Sequence, residues 1–164
     1  MNRIDWKTIM AAVGVAGTAA FVGNMLTIGL GFGGYWQSLD PTVFMAWFAE
    51  NFFRFLIPTV MSVLPFSLVG LGASVWLARK DRSTQRYWTG ALACVVVACL
   101  ITAVYHLPTN FAFASQTMSP AETSATLSTW LLMHWVRVAF ALVGTGLSLE
   151  AFRRGAARAQ IMLM

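Results

Sequence analysis

Apolar residues fill four long runs of this chain, 9–34, 52–78, 87–106 and 127–151, and polar residues collect between them. Each run reaches the ~20 residues that a helix needs to cross the hydrocarbon core of a bilayer. A soluble core has no use for four such runs. The pattern predicts an all-α integral membrane four-helix bundle, with 1–164 forming a single membrane domain. In the first run Gly14, Gly17, Ala20, Asn24, Thr27 and Gly31 recur at helical spacing and make an interhelical face that permits close approach. In the fourth run Trp130, His134 and Arg137 fall at i, i+4 and i+7 and so share a face, which Ala141, Gly144 and Ser148 continue in small residues. The other faces carry Leu131, Leu132, Trp135, Phe140, Leu142, Val143 and Leu147 and suit lipid. A histidine and an arginine in such a run are costly unless they face protein or water. Their face is therefore the bundle interior.

Local signals extend the helices past the membrane at one end. Gly29, Gly31, Gly33 and Gly34 close the first helix, and Tyr35 and Trp36 suit the membrane interface. Asp40 and Pro41 supply a cap and a first-turn proline for a second helix that runs to about Arg79. Such a helix is ~58 Å long, so its first part stands outside the ~30 Å core, and kinks are expected at Pro58 and Pro65. Along that first part Trp47, Glu50, Asn51 and Arg54 share a face, with Glu50 and Arg54 spaced to pair. Ser83 reads as the cap of the third helix and Pro108 as its stop, with Asn110 folding back onto that turn. Ser119, Pro120 and Glu122 form a capping box that starts the last helix. Counted from these ends, His106, Asn110, Trp130, His134 and Arg137 lie at similar depth, and Asn51 and Arg54 reach the same level.

The formal charge of +5 changes the picture only through its placement. Arg3 and Lys7 precede the first run, Arg79, Lys80, Arg82 and Arg86 separate the second from the third, and Arg153, Arg154 and Arg158 follow the fourth. The two remaining connections carry only Asp40, Glu50 and Glu122. The positive-inside rule then puts both termini and the middle loop in the cytoplasm and the helical extensions outside, as in a multi-pass protein of a bacterial inner (plasma) membrane. The basic ends serve topology and anionic lipid, so the charge calls for no nucleic acid. Cys94 and Cys99 fall on different sides of one helix and read as packing residues. No phosphate-binding loop, dinucleotide fingerprint or Ser-His-Asp arrangement is present.

The segment His106-Leu-Pro108-Thr-Asn110, followed by Trp130 and then His134-x-x-Arg137, resembles the anthrone-oxygenase-like family of small four-span membrane proteins. In that family the third helix ends in Asn-x-Pro-x-Asn, and the fourth carries a Trp and then Trp-Asn-x-x-Arg. Pro108, Asn110, Trp130 and Arg137 match; His106 and His134 stand where asparagines are usual, and Met133 where the second Trp is usual. The resemblance implies a four-helix bundle and an oxidation of polycyclic anthrones by molecular oxygen.

Three readings of the cluster follow. The first is a membrane oxidoreductase or oxygenase for a lipophilic anthrone- or quinone-like molecule. Its catalytic residues are His134, Arg137 and His106, and its substrate-binding residues are Asn110, Trp130, Asn51, Arg54, Asn24 and Trp47. The second is a redox or pigment-carrying subunit. There His106 and His134 ligate haem or a metal ion, copper or iron, and Glu50 adds a carboxylate. The third is a non-catalytic subunit of a homo-oligomer or larger membrane complex, in which the polar cluster joins helices.

Overall fold

The computed structural model describes residues 5–161, except for the side chains at 62, 64 and 159–161; Arg3 falls outside them. Four long helices account for almost all of the described chain, and no strand occurs among the described residues. They are α1 (Trp6–Ser38), α2 (Pro41–Leu77), α3 (Arg82–Ala114) and α4 (Pro120–Ile161). All four are long and apolar enough to cross a membrane, so the protein is an all-α, multi-pass membrane bundle.

The helix starts follow from local chemistry. Asp40 accepts from the Thr42 amide at 2.9 Å and from the Thr42 hydroxyl. Ser119 and Glu122 close the capping box, with Ser119 N donating to Glu122 Oε2 at 2.9 Å and Glu122 N to Ser119 Oγ at 3.4 Å. α3 differs from expectation: Asp81, not Ser83, is its cap, and it accepts from the Thr84 amide at 3.2 Å and the Ser83 hydroxyl at 3.0 Å. A carboxylate accepts both bonds, whereas a serine hydroxyl satisfies one amide at best. Asp81 also pairs with Arg158, tying the end of α4 to the α2–α3 turn. Partial burial works against the Asp81 charge, but Thr84, Arg158 and Ser83 outweigh it and hold the carboxyl at about 2.

Three of the helices contain a wider π-helical stretch: Thr27–Phe32 in α1, Ser62–Leu68 in α2 and Thr102–His106 in α3. Two of them adjoin prolines. Pro65 lies inside the second, while Pro58 sits in ordinary α-helix; the third runs directly into Leu107 and Pro108. A proline ring crowds the carbonyl four residues back and offers it no N–H, and a π turn relieves that conflict. This is why Pro108 does not end α3, which continues to Ala114.

Glycines set how closely the helices pack. A Cβ on Gly17 would stand 2.6 Å from the Ser67 backbone nitrogen, and one on Gly70 would stand 2.5 Å from the Gly14 nitrogen. Only glycine allows α1 and α2 to meet backbone to backbone here. The buried face of α1 is Gly14, Gly17, Thr18, Phe21, Val22 and Met25. Of the expected stripe, Ala20 faces out and Asn24 is half-buried, and within the π stretch Thr27 and Gly31 also face out. One extra residue in a turn rotates the facing by about 100°, which brings Gly29, Gly33 and Trp36 inward instead. On α4 the expected small face is buried at Ala141, Gly144 and Ser148, and Ser148 Oγ meets Thr18 Oγ1 at 3.2 Å. Leu131 departs from its lipid-facing assignment: it is buried against Gly33.

Replacing Gly70 with Ala is expected to lower stability by about 1–3 kcal/mol, because backbone rather than a flexible side chain stands in the way. Gly72→Ala, with nothing within 4 Å of its added carbon, is expected to leave stability unchanged or raise it slightly. Helicity followed through denaturing-detergent titration of both variants in mixed micelles checks the pair.

Candidate functional site

Trp130, His134 and Arg137 share the inner face of α4, as their spacing requires, and the structure joins them directly. The Trp130 and His134 rings stack with centroids 5.3 Å apart and planes 6° from parallel. Arg137 Nη2 donates to His134 Nδ1 at 2.7 Å, and Arg137 Nη1 donates to Thr102 Oγ1 on α3 at 2.8 Å. A guanidinium only donates, so His134 Nδ1 carries the lone pair and Nε2 carries the proton, which it donates to the Met25 carbonyl of α1 at 2.9 Å. Both nitrogens of His134 are therefore engaged in its neutral form. Trp130 Nε1 donates to Asn110 Oδ1 at 2.8 Å, so Asn110 binds Trp130 rather than capping its own turn.

Arg137 is only 4% exposed, and among the described residues no carboxylate pairs with it. Its Nε has no hydrogen-bond partner. Cys99 lies close enough to interact with it electrostatically. A cation buried in this way is costly unless it is paired or its donors are hydrogen-bonded, and here two of its nitrogens are and Nε is not. Beside it lies His106, 0% exposed, at the end of the π stretch in α3. Its ring meets Trp130 edge to face at 4.8 Å and lies 6.4 Å from the His134 ring. The backbone carbonyls of Ile101 and Trp130 act on the ring electrostatically, but neither ring nitrogen makes a hydrogen bond of acceptable geometry. The centre thus combines an uncommitted imidazole with an under-satisfied guanidinium, and Trp130 neighbours both, its ring 4.8 Å from the His106 ring and 5.8 Å from the Arg137 guanidinium carbon.

An aromatic layer covers this centre at the end away from the basic loops. Trp36 is fully buried and touches Trp130 at 5.6 Å, with Phe44, Trp47, Phe48 and Phe55 around it. It does not face lipid as an interface anchor would: beyond the π stretch it turns inward, while Tyr35 remains exposed. The Trp36 Nε1 is unpartnered, and the side chain borders a cavity of about 140 Å³ between the α1–α2 corner and the start of α4.

The other expected site residues lie apart from this centre. Asn24 donates to Thr59 on α2 at 2.5 Å and crosslinks two helices. Asn51 donates to the Trp47 carbonyl at 2.8 Å, and the exposed Arg54 donates to Asn51 at 3.1 Å instead of pairing with Glu50. Trp47 reaches the centre only through Trp36. Glu50 is exposed, and among the described residues no three His, Cys, Asp or Glu side chains come together as a metal would need. The set His106, His134 and Glu50 is therefore not assembled. His134 also has no free lone pair for haem, copper or iron, and a neighbouring guanidinium opposes a cation there. Trp36 was not legible as a site group because a π turn decides its facing, and Thr102 and the Met25 carbonyl were not because their roles depend on contacts between helices.

Residues 44–147 match the family model described as Anthrone oxygenase, a stretch that contains His106, Asn110, Trp130, His134 and Arg137. No curated protein and no solved structure matches the chain.

Thr102→Val removes the acceptor of a buried cation and is expected to cost about 1.5–3 kcal/mol. Thr109→Val is expected to cost clearly less, since that hydroxyl only returns to the Tyr105 carbonyl of its own helix. Detergent-titration unfolding of the two variants side by side measures the difference.

Proposed function

We propose, since this chain belongs to the anthrone oxygenase family, that its buried centre oxidises an anthrone- or phenol-like aromatic molecule with dioxygen, using His106 as base and Arg137 as anion partner. The observation that carries this reading is a buried guanidinium that meets no carboxylate among the described residues, its Nε free, beside an imidazole with both nitrogens uncommitted. A site with these two groups favours a state in which the imidazole holds a proton and the guanidinium faces a new negative charge.

In an anthrone the methylene hydrogens are acidic, because loss of one places the charge on the carbonyl oxygen. His106 takes that proton, and the oxygen anion meets Arg137. The electron-rich ring then gives an electron to dioxygen, and recombination at the former methylene carbon forms a peroxide anion, which takes the proton back from His106. The remaining hydrogen on that carbon then leaves as a proton while the O–O bond breaks and hydroxide departs, so that water is released and a second carbonyl is left. One oxygen atom stays on the substrate and one leaves as water, and the substrate loses two hydrogens. His134 is the positioning residue in this scheme: it holds Arg137 from one side while Thr102 holds it from the other.

The 140 Å³ cavity is smaller than the ~300–1,000 Å³ typical of ligand pockets, so a tricyclic substrate enters only when the aromatic layer opens. Trp36 stands between the cavity and Trp130 and is the side chain that must yield.

Oxygen uptake by the detergent-purified protein with anthrone, corrected for the uncatalysed reaction, tests the reading. The wild type is expected to consume one dioxygen per anthraquinone formed. His106→Ala is expected to lower the rate ~10²–10⁴-fold and Arg137→Gln ~10²–10³-fold, with the helical content retained. Full activity in either variant would contradict these roles.

A further inference from the structure

A second cavity, about 470 Å³ in volume, lies at the opposite end of the bundle from the aromatic layer. It is bounded by the first turns of α1, the α2–α3 turn and the last third of α4. Its inner wall is apolar: Ala11, Leu77, Trp88, Ala151 and Phe152. Its outer wall is charged. Lys7 comes from α1, Lys80 from the turn and Arg158 from α4, with Asp5 and Asp81 between them.

The charges at this rim are not equivalent. The Asp5 carboxylate is used by the Lys7 amide at 3.1 Å and the Thr8 hydroxyl at 2.5 Å, so it caps α1. Asp81 caps α3 and pairs with Arg158. The Lys7 and Lys80 ammonium groups form no ion pair among the described residues. Two uncommitted ammonium groups therefore stand over an apolar chamber at the end of the bundle that carries the basic loops. On α4 the chamber extends from Arg158 down to Ala151, about 10 Å along the helix. Its volume lies within the ~300–1,000 Å³ range of sites that hold a discrete ligand.

We infer that this chamber binds one anionic phospholipid. Its phosphate sits between Lys7 and Lys80, and the upper part of one acyl chain lies against Leu77, Trp88 and Phe152. Basic pockets between transmembrane helices beside an anionic leaflet hold headgroups in this way, with charge selecting the head and apolar lining retaining the chain. Neither feature serves the Arg137 centre, and the inference stands apart from the proposed oxidation. A soluble phosphate satisfies the lysines but leaves the apolar wall empty. A zwitterionic lipid fills the wall but returns little charge energy.

The test uses the full chain in detergent, with thermal unfolding followed as lipid is added. The probes are dioleoyl phosphatidylglycerol, dioleoyl phosphatidylcholine and inorganic phosphate. Phosphatidylglycerol is expected to bind ~tenfold or more tightly than phosphatidylcholine, and phosphate is expected to give no shift. Lys7→Gln with Lys80→Gln is expected to weaken phosphatidylglycerol binding by roughly ten- to thirty-fold and leave phosphatidylcholine unchanged. Gly155→Leu places bulk in the chamber at a position where an added carbon meets nothing within 4 Å, so it is expected to fold normally and lose the lipid effect. Equal binding of the two lipids, or phosphatidylglycerol binding that survives both sets of substitutions, overturns the inference. A shift with phosphate equal to that with phosphatidylglycerol overturns it as well, and identifies a free-anion site.

Discussion

A guanidinium held inside a membrane bundle with no counter-charge among the described residues is the constraint on which the centre of this protein depends. Arg137 reaches two neutral partners, His134 on its own helix and Thr102 on α3. His134 in turn carries its proton on Nε2 and donates a hydrogen bond with it to a carbonyl of α1. One cation thus aligns three of the four helices and sets the tautomer of a buried histidine. Neutral partners orient a guanidinium but do not neutralise it, so the positive field at its free Nε remains available. Stability alone would favour an apolar residue or a paired carboxylate at this position, because either avoids an unneutralised buried charge.

The backbone carries the other half of the arrangement. π turns in α1, α2 and α3 each change which residues face inward beyond them. In α1 this brings Gly29 under His134 and Trp135, where a Cβ would stand 3.1 Å from His134 Nε2, and turns Trp36 onto Trp130. In α3 it presents Thr102 to Arg137 and His106 to Trp130. The close glycine contact of α1 with α2 lies nearer the basic end and fixes these helices where the site does not intervene. Dense packing below and an aromatic layer above leave His106 sealed from both sides, which suits chemistry on a reactive anion that water would quench.

Much of this was legible in the amino-acid pattern. Four apolar runs gave four spans, the i, i+4, i+7 spacing placed Trp130, His134 and Arg137 on one face, and the Asp40 and Ser119 signals located two helix starts. The Anthrone oxygenase family followed from Pro108, Asn110, Trp130 and Arg137. Part of what escaped the pattern shares one cause. Facing counted at 3.6 residues per turn fails once a π turn adds a residue, so Trp36 was assigned to the interface and Thr27 and Gly31 to the interior. Pro108 was read as a stop for the same reason. Glu50 and Arg54 were expected to pair, but Asn51 lies closer in the turn and takes the Arg54 donor. Joint ligation by His106 and His134 is reasonable from depth alone; the engaged nitrogens of His134 and the guanidinium beside it argue against it.

Calorimetric binding of a planar hydroxyanthraquinone in its phenolate form against its uncharged methyl ether tests whether Arg137 holds an oxyanion. The wild-type protein is expected to prefer the phenolate by roughly tenfold or more, about 1.4 kcal/mol, and Arg137→Gln is expected to erase the preference while the methyl ether binds as before. An Arg137→Gln protein that still prefers the phenolate would contradict that role.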